Sequence, residues 1–318
     1  MMKTFKWIGV VATLLLMAPV AEAQRTESKS FEGIRKIRMT TSSGSCRIKK
    51  GNSNTVQAEV SYTFDENSYE PRMEQEGDML VIRERFERGN NTGSSKWTLT
   101  IPDGLTVSFS TGSGDLDVGD LTIDLKATTG SGNLIISQAK GDIQGATGSG
   151  DVELINFEGD FQANTGSGNM LVENSSGDIS LNCGSGNLRI ENNKASIAAN
   201  TGSGNIRVRN LITQGSCKFN TGSGDALVIL GATPTHDLSV NSGSGDAQLD
   251  FNGNEIKGEI VMKASKRRGE IVAPFAFDKT EELDGWGDDI MIQKTVVKGN
   301  ATNRISIGTG SGSAVLKK

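Results

Sequence analysis

Between positions 111 and 205 the chain repeats, every 18 residues, a pentapeptide whose last member is a carboxylate or an amide. These fifth residues are Asp115, Asn133, Asp151, Asn169, Asn187 and Asn205, followed at wider spacing by Asp225 and Asp246. Oxygen donors recurring at a fixed interval suggest calcium, which takes about six to eight oxygens, several of them from carboxylates. Asp115, Asp151, Asp225 and Asp246 are therefore metal candidates. Amides stand at the other positions, so the carboxylates are never dense. The competing role is structural: Asp and Asn bond nearby turn backbone and tolerate its dihedrals, and stacked amides bond one another between coils. The structural role fits the composition better.

Catalysis would need convergent acids or a base on one face. The outward residues of the strand after the pentapeptide include Asp117, Glu153 and Arg189. Each is two repeats from the next, or about 10 Å at the usual strand spacing. A retaining glycosidase needs its carboxyls about 5–5.5 Å apart, and an inverting one about 6.5–9.5 Å. No catalytic residue is assigned on this spacing, and no cofactor is expected. His236, the sole histidine, sits in an insertion without an evident partner.

Near the C-terminus Asp284 and Asp288 flank Trp286 in a glycine-bounded loop, and Arg267 and Arg268 form a basic corner. An exposed Trp among polar groups is a platform for a sugar face or a protein. Equally, Trp286 can fold back to seal the end of a stack, which repeat proteins require. Outward Thr and Ser rows along the corners are a further candidate surface for an extended glycan or peptide.

The elements that must position these residues are strands. Apolar residues follow each pentapeptide with period two, as in Leu116/Val118, Leu134/Ile136, Val152/Leu154 and Leu188/Ile190, which is a strand pattern. A second turn is expected at Gly141-Asp142, Gly159-Asp160 and Gly177-Asp178, followed by a second alternating strand. One such unit cannot bury its apolar face, but stacked units can. The expected fold is all-β: a single-stranded, right-handed parallel β-helix (β-solenoid) built on an 18-residue Thr-Gly-Ser-Gly-Asp/Asn repeat. The same frame recurs at Thr41–Ile48, at Thr309–Leu316 and near Gly269-Glu270-Ile271.

Composition agrees. The 318 residues include 40 Gly and only 5 Pro, against usual shares of about 7% and 5%. Collagen would need abundant Pro and Gly at every third position. A paired strand needs its N–H groups, which keeps Pro out. Residues 1–23 read as a secretory signal, with Lys3 and Lys6, an apolar run, and Ala21-Glu22-Ala23 as the cleavage site. Its apolar run is short for a span of about 20 residues, so no transmembrane segment is expected after its removal. Without it, the formal charge moves from −5 to about −6, which disfavours nucleic acid as a partner. Cys46, Cys183 and Cys217 are too few for a disulfide framework and read as small buried side chains.

Ser30-Phe31-Glu32-Gly33, the strand and turn from Trp97 through Ile101-Pro102-Asp103-Gly104, and the serial Thr-Gly-Ser-Gly-Asp/Asn coils together resemble the bacterial exported candidate-adhesin families of unknown function. These are related to the head-domain autotransporter adhesin candidates. The resemblance covers nearly the whole chain after the signal. It implies a single-stranded right-handed β-helix at the cell envelope and supplies no catalytic motif.

The expected organisation is a signal peptide (1–23), a hairpin-rich N-terminal β segment of the same domain (24–110), regular coils (111–272), and a C-terminal cap with the last coil (273–318). The expected role is a non-catalytic binding or adhesin-like protein that is periplasmic, on the outer surface or secreted. Its partner would be a surface glycan or a protein. The alternatives are a polysaccharide-active lyase or hydrolase and a passive envelope protein.

Overall fold

The computed structural model describes residues 24–87, 92–285, 288–300 and 302–318. The expected signal peptide and Trp286 lie outside them. The described residues form 27 strands and no helix. The fold is all-β and solenoid-like, with one continuous hydrophobic core.

The coils stack through two strand columns, two faces of one continuous sheet. One contains the strands that lead into the Thr corner, such as Leu105–Thr111, Glu158–Thr165, Ser176–Cys183 and Lys194–Thr201. The other contains those that leave it, such as Val152–Ile155, Met170–Glu173, Leu188–Glu191 and Ile206–Thr213. Neighbours pair in parallel, with Leu134 on Val152, Val152 on Met170, Met170 on Leu188, and Leu188 on Ile206. Alternation along each strand puts these side chains in the core and their neighbours outside.

The Thr corner explains the pentapeptide. Thr165 is buried; its hydroxyl donates to the Gly150 carbonyl of the preceding coil at 3.1 Å and accepts the Gly168 N–H of its own coil at 3.1 Å. Thr129, Thr147, Thr201, Thr221, Ser242 and Thr309 do the same. Cys183 substitutes a thiol, with its Sγ 3.2 Å from the Gly168 oxygen and 2.8 Å from the Gly186 nitrogen. The corner therefore satisfies buried backbone groups that would otherwise cost about 1–3 kcal/mol each. Glycine is required beside it because a Cβ on Gly168 would lie 1.9 Å from the Gly150 oxygen. The threonines of these rows face inward, contrary to the outward Thr/Ser rows expected from sequence. Only the serines, such as Ser149 and Ser167, are exposed.

The second corner also departs from expectation. Gly141-Asp142, Gly159-Asp160 and Gly177-Asp178 lie within strands. The turn falls earlier, where Asn156, Asn174, Asn192 and Asn210 take left-handed backbone with φ of 54°, 51°, 56° and 54°. Asn is among the few side chains that tolerate this region. The glycines serve close approach instead: a Cβ on Gly159 would meet the Gly141 oxygen at 2.2 Å.

At both ends the chain order and the spatial order differ. Strands Lys36–Thr41 and Ser45–Lys50 lie between the coil formed by Met79–Phe86 and Ser95–Ile101 and the coil beginning at Leu105. Likewise, Arg304–Thr309 lies between Leu238–Ser242 and Gly258–Ser265, and Ser313–Lys317 lies between Ala247–Asp250 and Glu270–Val272. Antiparallel strands complete the ends: Tyr69–Glu76, Thr55–Tyr62 and Arg25–Glu32 at one, Ile290–Lys298 and Lys279–Asp284 at the other. The outermost strands carry Pro71 or dense charge, or are short, features that block edge-to-edge pairing.

Candidate functional site

The fifth-position residues form a ladder. Each side-chain Oδ1 accepts the backbone N–H of the fifth residue one coil on. Asp115 accepts from Asn133 at 2.8 Å, Asn133 from Asp151 at 2.9 Å, Asp151 from Asn169 at 2.6 Å, Asp225 from Asp246 at 2.9 Å and Asp246 from Ser313 at 2.7 Å. A short side chain ending in an oxygen acceptor is all this geometry needs, so Asp and Asn interchange along the column. Among the described residues no group of three or more His, Cys, Asp or Glu is disposed to hold a metal.

The outward surface of the strand column that leaves the corner carries a basic groove. Arg189, Glu191, Arg207 and Arg209, with Asn187 and Asn205, line a recess of about 250 Å³. Arg189 stands directly beside Arg207, and Glu191 beside Arg209. Arg189 grips Glu191 with two bonds, of 2.9 and 3.1 Å, and this contact holds the Glu191 carboxyl below its ordinary range. Asp117 lies far from this groove, bonded to Arg47 at 2.8 Å. Glu153 lies two coils from Arg189, as the register requires.

The other strand column carries an acidic row that the sequence reading passed over. Asp142 pairs directly with Asp160, and Asp178 belongs to the next coil. All three are exposed. They line a shallow recess of about 360 Å³ with Gln144, Gln162 and Ser180. Adjacent parallel residues stand about 4.8 Å apart, so these acids are closer than Asp117 and Glu153. No surrounding wall buries one of them, as a general acid at neutral pH requires.

Of the C-terminal candidates, Asp284 and Asp288 are exposed at the tip of the hairpin between Lys279–Asp284 and Ile290–Lys298. Arg267 and Arg268 lie on the corner after Gly258–Ser265. The structure joins the two through Asp289, which accepts Arg268 Nη2 at 2.8 Å and Ser265 Oγ at 3.0 Å. The Arg268 contact lowers the Asp289 carboxyl pKa. Lys266 bonds Glu282 across the same junction. His236 is exposed, and its insertion serves packing. The buried Asn303 donates to the Pro234 oxygen at 3.1 Å, and Asp237 accepts the Arg304 N–H at 2.7 Å.

The Toastrack DUF4097 family model matches residues 34–271. The chain belongs to that family. No curated protein matches it. Among solved structures it is similar to a candidate adhesin from Parabacteroides distasonis ATCC 8503, at 13% identity and a TM-score of 0.46 over 94% of this chain and 98% of that one. It is also similar to a candidate cell adhesion protein from Clostridium sporogenes ATCC 15579, at 15% identity and a TM-score of 0.22 over 93% and 99%. A candidate lipid-binding protein from Parabacteroides distasonis ATCC 8503 matches at 13% identity and a TM-score of 0.36 over 93% and 96%.

Two further polar arrangements of this Toastrack chain escaped the sequence reading. Asn164, Asn182, Asn200, Asn220 and Asn241 form an amide ladder beside the Thr corner, with Nδ2–Oδ1 distances of 3.1, 3.0, 2.8 and 2.9 Å. Its signal was available: Asn precedes the pentapeptide in each of those coils. Glu84 lies next in line to Thr41 and closes the corner at the N-terminal end. It accepts the Tyr69 hydroxyl, the Ser95 hydroxyl, the Trp97 indole N–H and the Ser42 backbone N–H. A Glu in an irregular coil gave no repeat signal.

Proposed function

We propose that the chain is an exported cell-envelope or surface protein whose right-handed, single-stranded β-helix is a non-catalytic, adhesin-like binding scaffold on the 18-residue repeat. In this reading residues 1–23 are a removed leader. Residues 24–110 and 273–318 finish the two ends of one domain, and 111–272 are its regular coils. One observation carries the proposal. The repeated polar residues spend their hydrogen bonds on neighbouring coils, as Asp151 and Thr165 do, while the outward residues change from coil to coil. Repetition thus builds the support, and the variable positions are left for recognition.

The partner is a cell-surface glycan or a protein. The acidic net charge argues against nucleic acid. The hairpin tip at Asp284 and Asp288 above Arg267 is a secondary surface, and Trp286→Ala tests it: intact folding with lost binding supports a platform there. A glycan array combined with accessibility labelling on whole cells tests the main reading. Binding to a glycan class together with surface labelling supports it. Absence of binding with a wholly periplasmic location overturns the adhesin assignment.

A second reading, a polysaccharide-cleaving enzyme, rests on the direct pairing of Asp142 with Asp160 on adjacent coils, which sets two acids side by side on one face. Release of reducing ends from a polysaccharide, abolished by Asp142→Asn with Asp160→Asn, would establish it.

A further inference from the structure

We propose that Arg207 and Arg209, with Arg189 and the Asn205 amide, form a subsite for an oxyanion carried on an extended acidic polysaccharide. The inference rests on the binding reading above and specifies its ligand.

The arrangement is costly without an anion. Arg189 and Arg207 are direct neighbours across parallel strands, and like charges so placed repel. Glu191 is the carboxylate within the recess, and Arg189 takes both of its oxygens. Among the described residues no ion pair is formed by Arg207 or Arg209. Three guanidinium groups face the engaged Glu191 and, one coil back, Glu173, which still leaves a local positive excess on a chain of net charge −5. Guanidinium forks bind carboxylate and sulfate through paired N–H donors.

The shape selects a polymer. A recess of about 250 Å³ is below the ~300–1,000 Å³ typical of sites that enclose a whole small ligand. It accommodates one charged unit while the rest of the chain lies along the coils. An extended peptide would bind a sheet by adding a strand, and that route is closed. Leu188–Glu191 and Ile206–Thr213 are each paired on both sides. Asn187 is bonded to the coils on both sides, whereas Asn205 spends only its Oδ1, on the Asp225 N–H, and turns its amide N–H to the rim for a sugar hydroxyl.

The test is binding of the purified full chain to four probes: polygalacturonate, dextran sulfate, neutral dextran and poly-L-glutamate. Binding to polygalacturonate identifies a carboxylate source, and binding to dextran sulfate a sulfate source. Neither neutral dextran nor poly-L-glutamate should bind comparably. Affinity should fall as salt rises. Arg207→Gln with Arg209→Gln should weaken binding at least roughly tenfold, or about 1.4 kcal/mol. Both side chains are exposed, so the variant should fold, with an unchanged or slightly higher melting temperature as the repulsion is relieved. Equal binding of poly-L-glutamate overturns the polysaccharide assignment. Unchanged affinity in the double variant places the site elsewhere and leaves the scaffold reading intact. Failure of the wild type to bind either anionic polysaccharide overturns the subsite, while the glycan array decides the scaffold reading separately.

Discussion

The carboxylate of Asp151 accepts the backbone N–H of Asn169 at 2.6 Å, across one turn of the coil. An acceptor oxygen suffices, so Asp151→Asn should leave stability within about 0.5 kcal/mol, the usual range for a tolerated surface change. Asp151→Ala should cost about 0.5–1.5 kcal/mol, the net value of one hydrogen bond. Denaturant midpoints of the two variants check this. The same melting curves recorded with calcium and with chelator should superimpose. A calcium-dependent rise would restore Asp115, Asp151, Asp225 and Asp246 as ligands.

The Thr corner gives an opposite pair of outcomes. Thr165→Val keeps the shape but strands the Gly150 carbonyl and the Gly168 N–H, so a loss of about 1–3 kcal/mol is expected. Cys183→Thr restores the oxygen that the other coils use and should raise the melting temperature. Thermal unfolding of both variants decides whether the corner stabilises through its hydroxyl.

Glycines separate by location. Gly168→Ala would place a methyl carbon 1.9 Å from a backbone oxygen and should abolish soluble, folded protein. Gly253→Ala adds its methyl into open space at φ +80°. It should cost about 1–2 kcal/mol from left-handed backbone alone. Expression yield and circular dichroism distinguish them.

Burial, and secondarily the charge of Asp117, pushes the Cys46 thiol pKa well up; burial also raises Cys217. Above the ordinary cysteine value of about 8.5 the unfolded chain releases these protons while the native chain keeps them. The unfolded state then binds fewer protons, so stability falls as pH rises. Denaturant midpoints between about pH 8 and pH 10 should decline, with a shallower slope in Cys46→Ala. Both thiols should resist alkylation in the native protein.

Much of this architecture is written locally. Leu116/Val118 and Leu188/Ile190 alternate visibly, and the recurring Thr-Gly-Ser-Gly marks a bend that only stacked coils can make. The second corner was misplaced because Gly-Asp looks like a turn, whereas Asn156 and Asn174 bend the chain and Gly159 admits a neighbouring backbone. The spatial order at the ends was not legible. Thr41–Ser45 and Thr309–Ser313 fit the frame equally well against several neighbours, and pairing between distant segments leaves no mark in either one. The Arg207 and Arg209 groove was hidden for the same reason: Arg189 becomes their companion only through the register of adjacent coils.

The placement of Arg304–Lys317 between two earlier coils has a consequence for how the molecule is made and unmade. A chain delivered in order from its N-terminus must hold a strand-wide slot open beside Leu238–Asp250 until Arg304–Lys317 arrives, so that stretch works as a keystone. Pulling on Lys317 would load a strand flanked on both sides, which must shear before it can unzip, whereas Arg25–Glu32, paired on one side only, would peel.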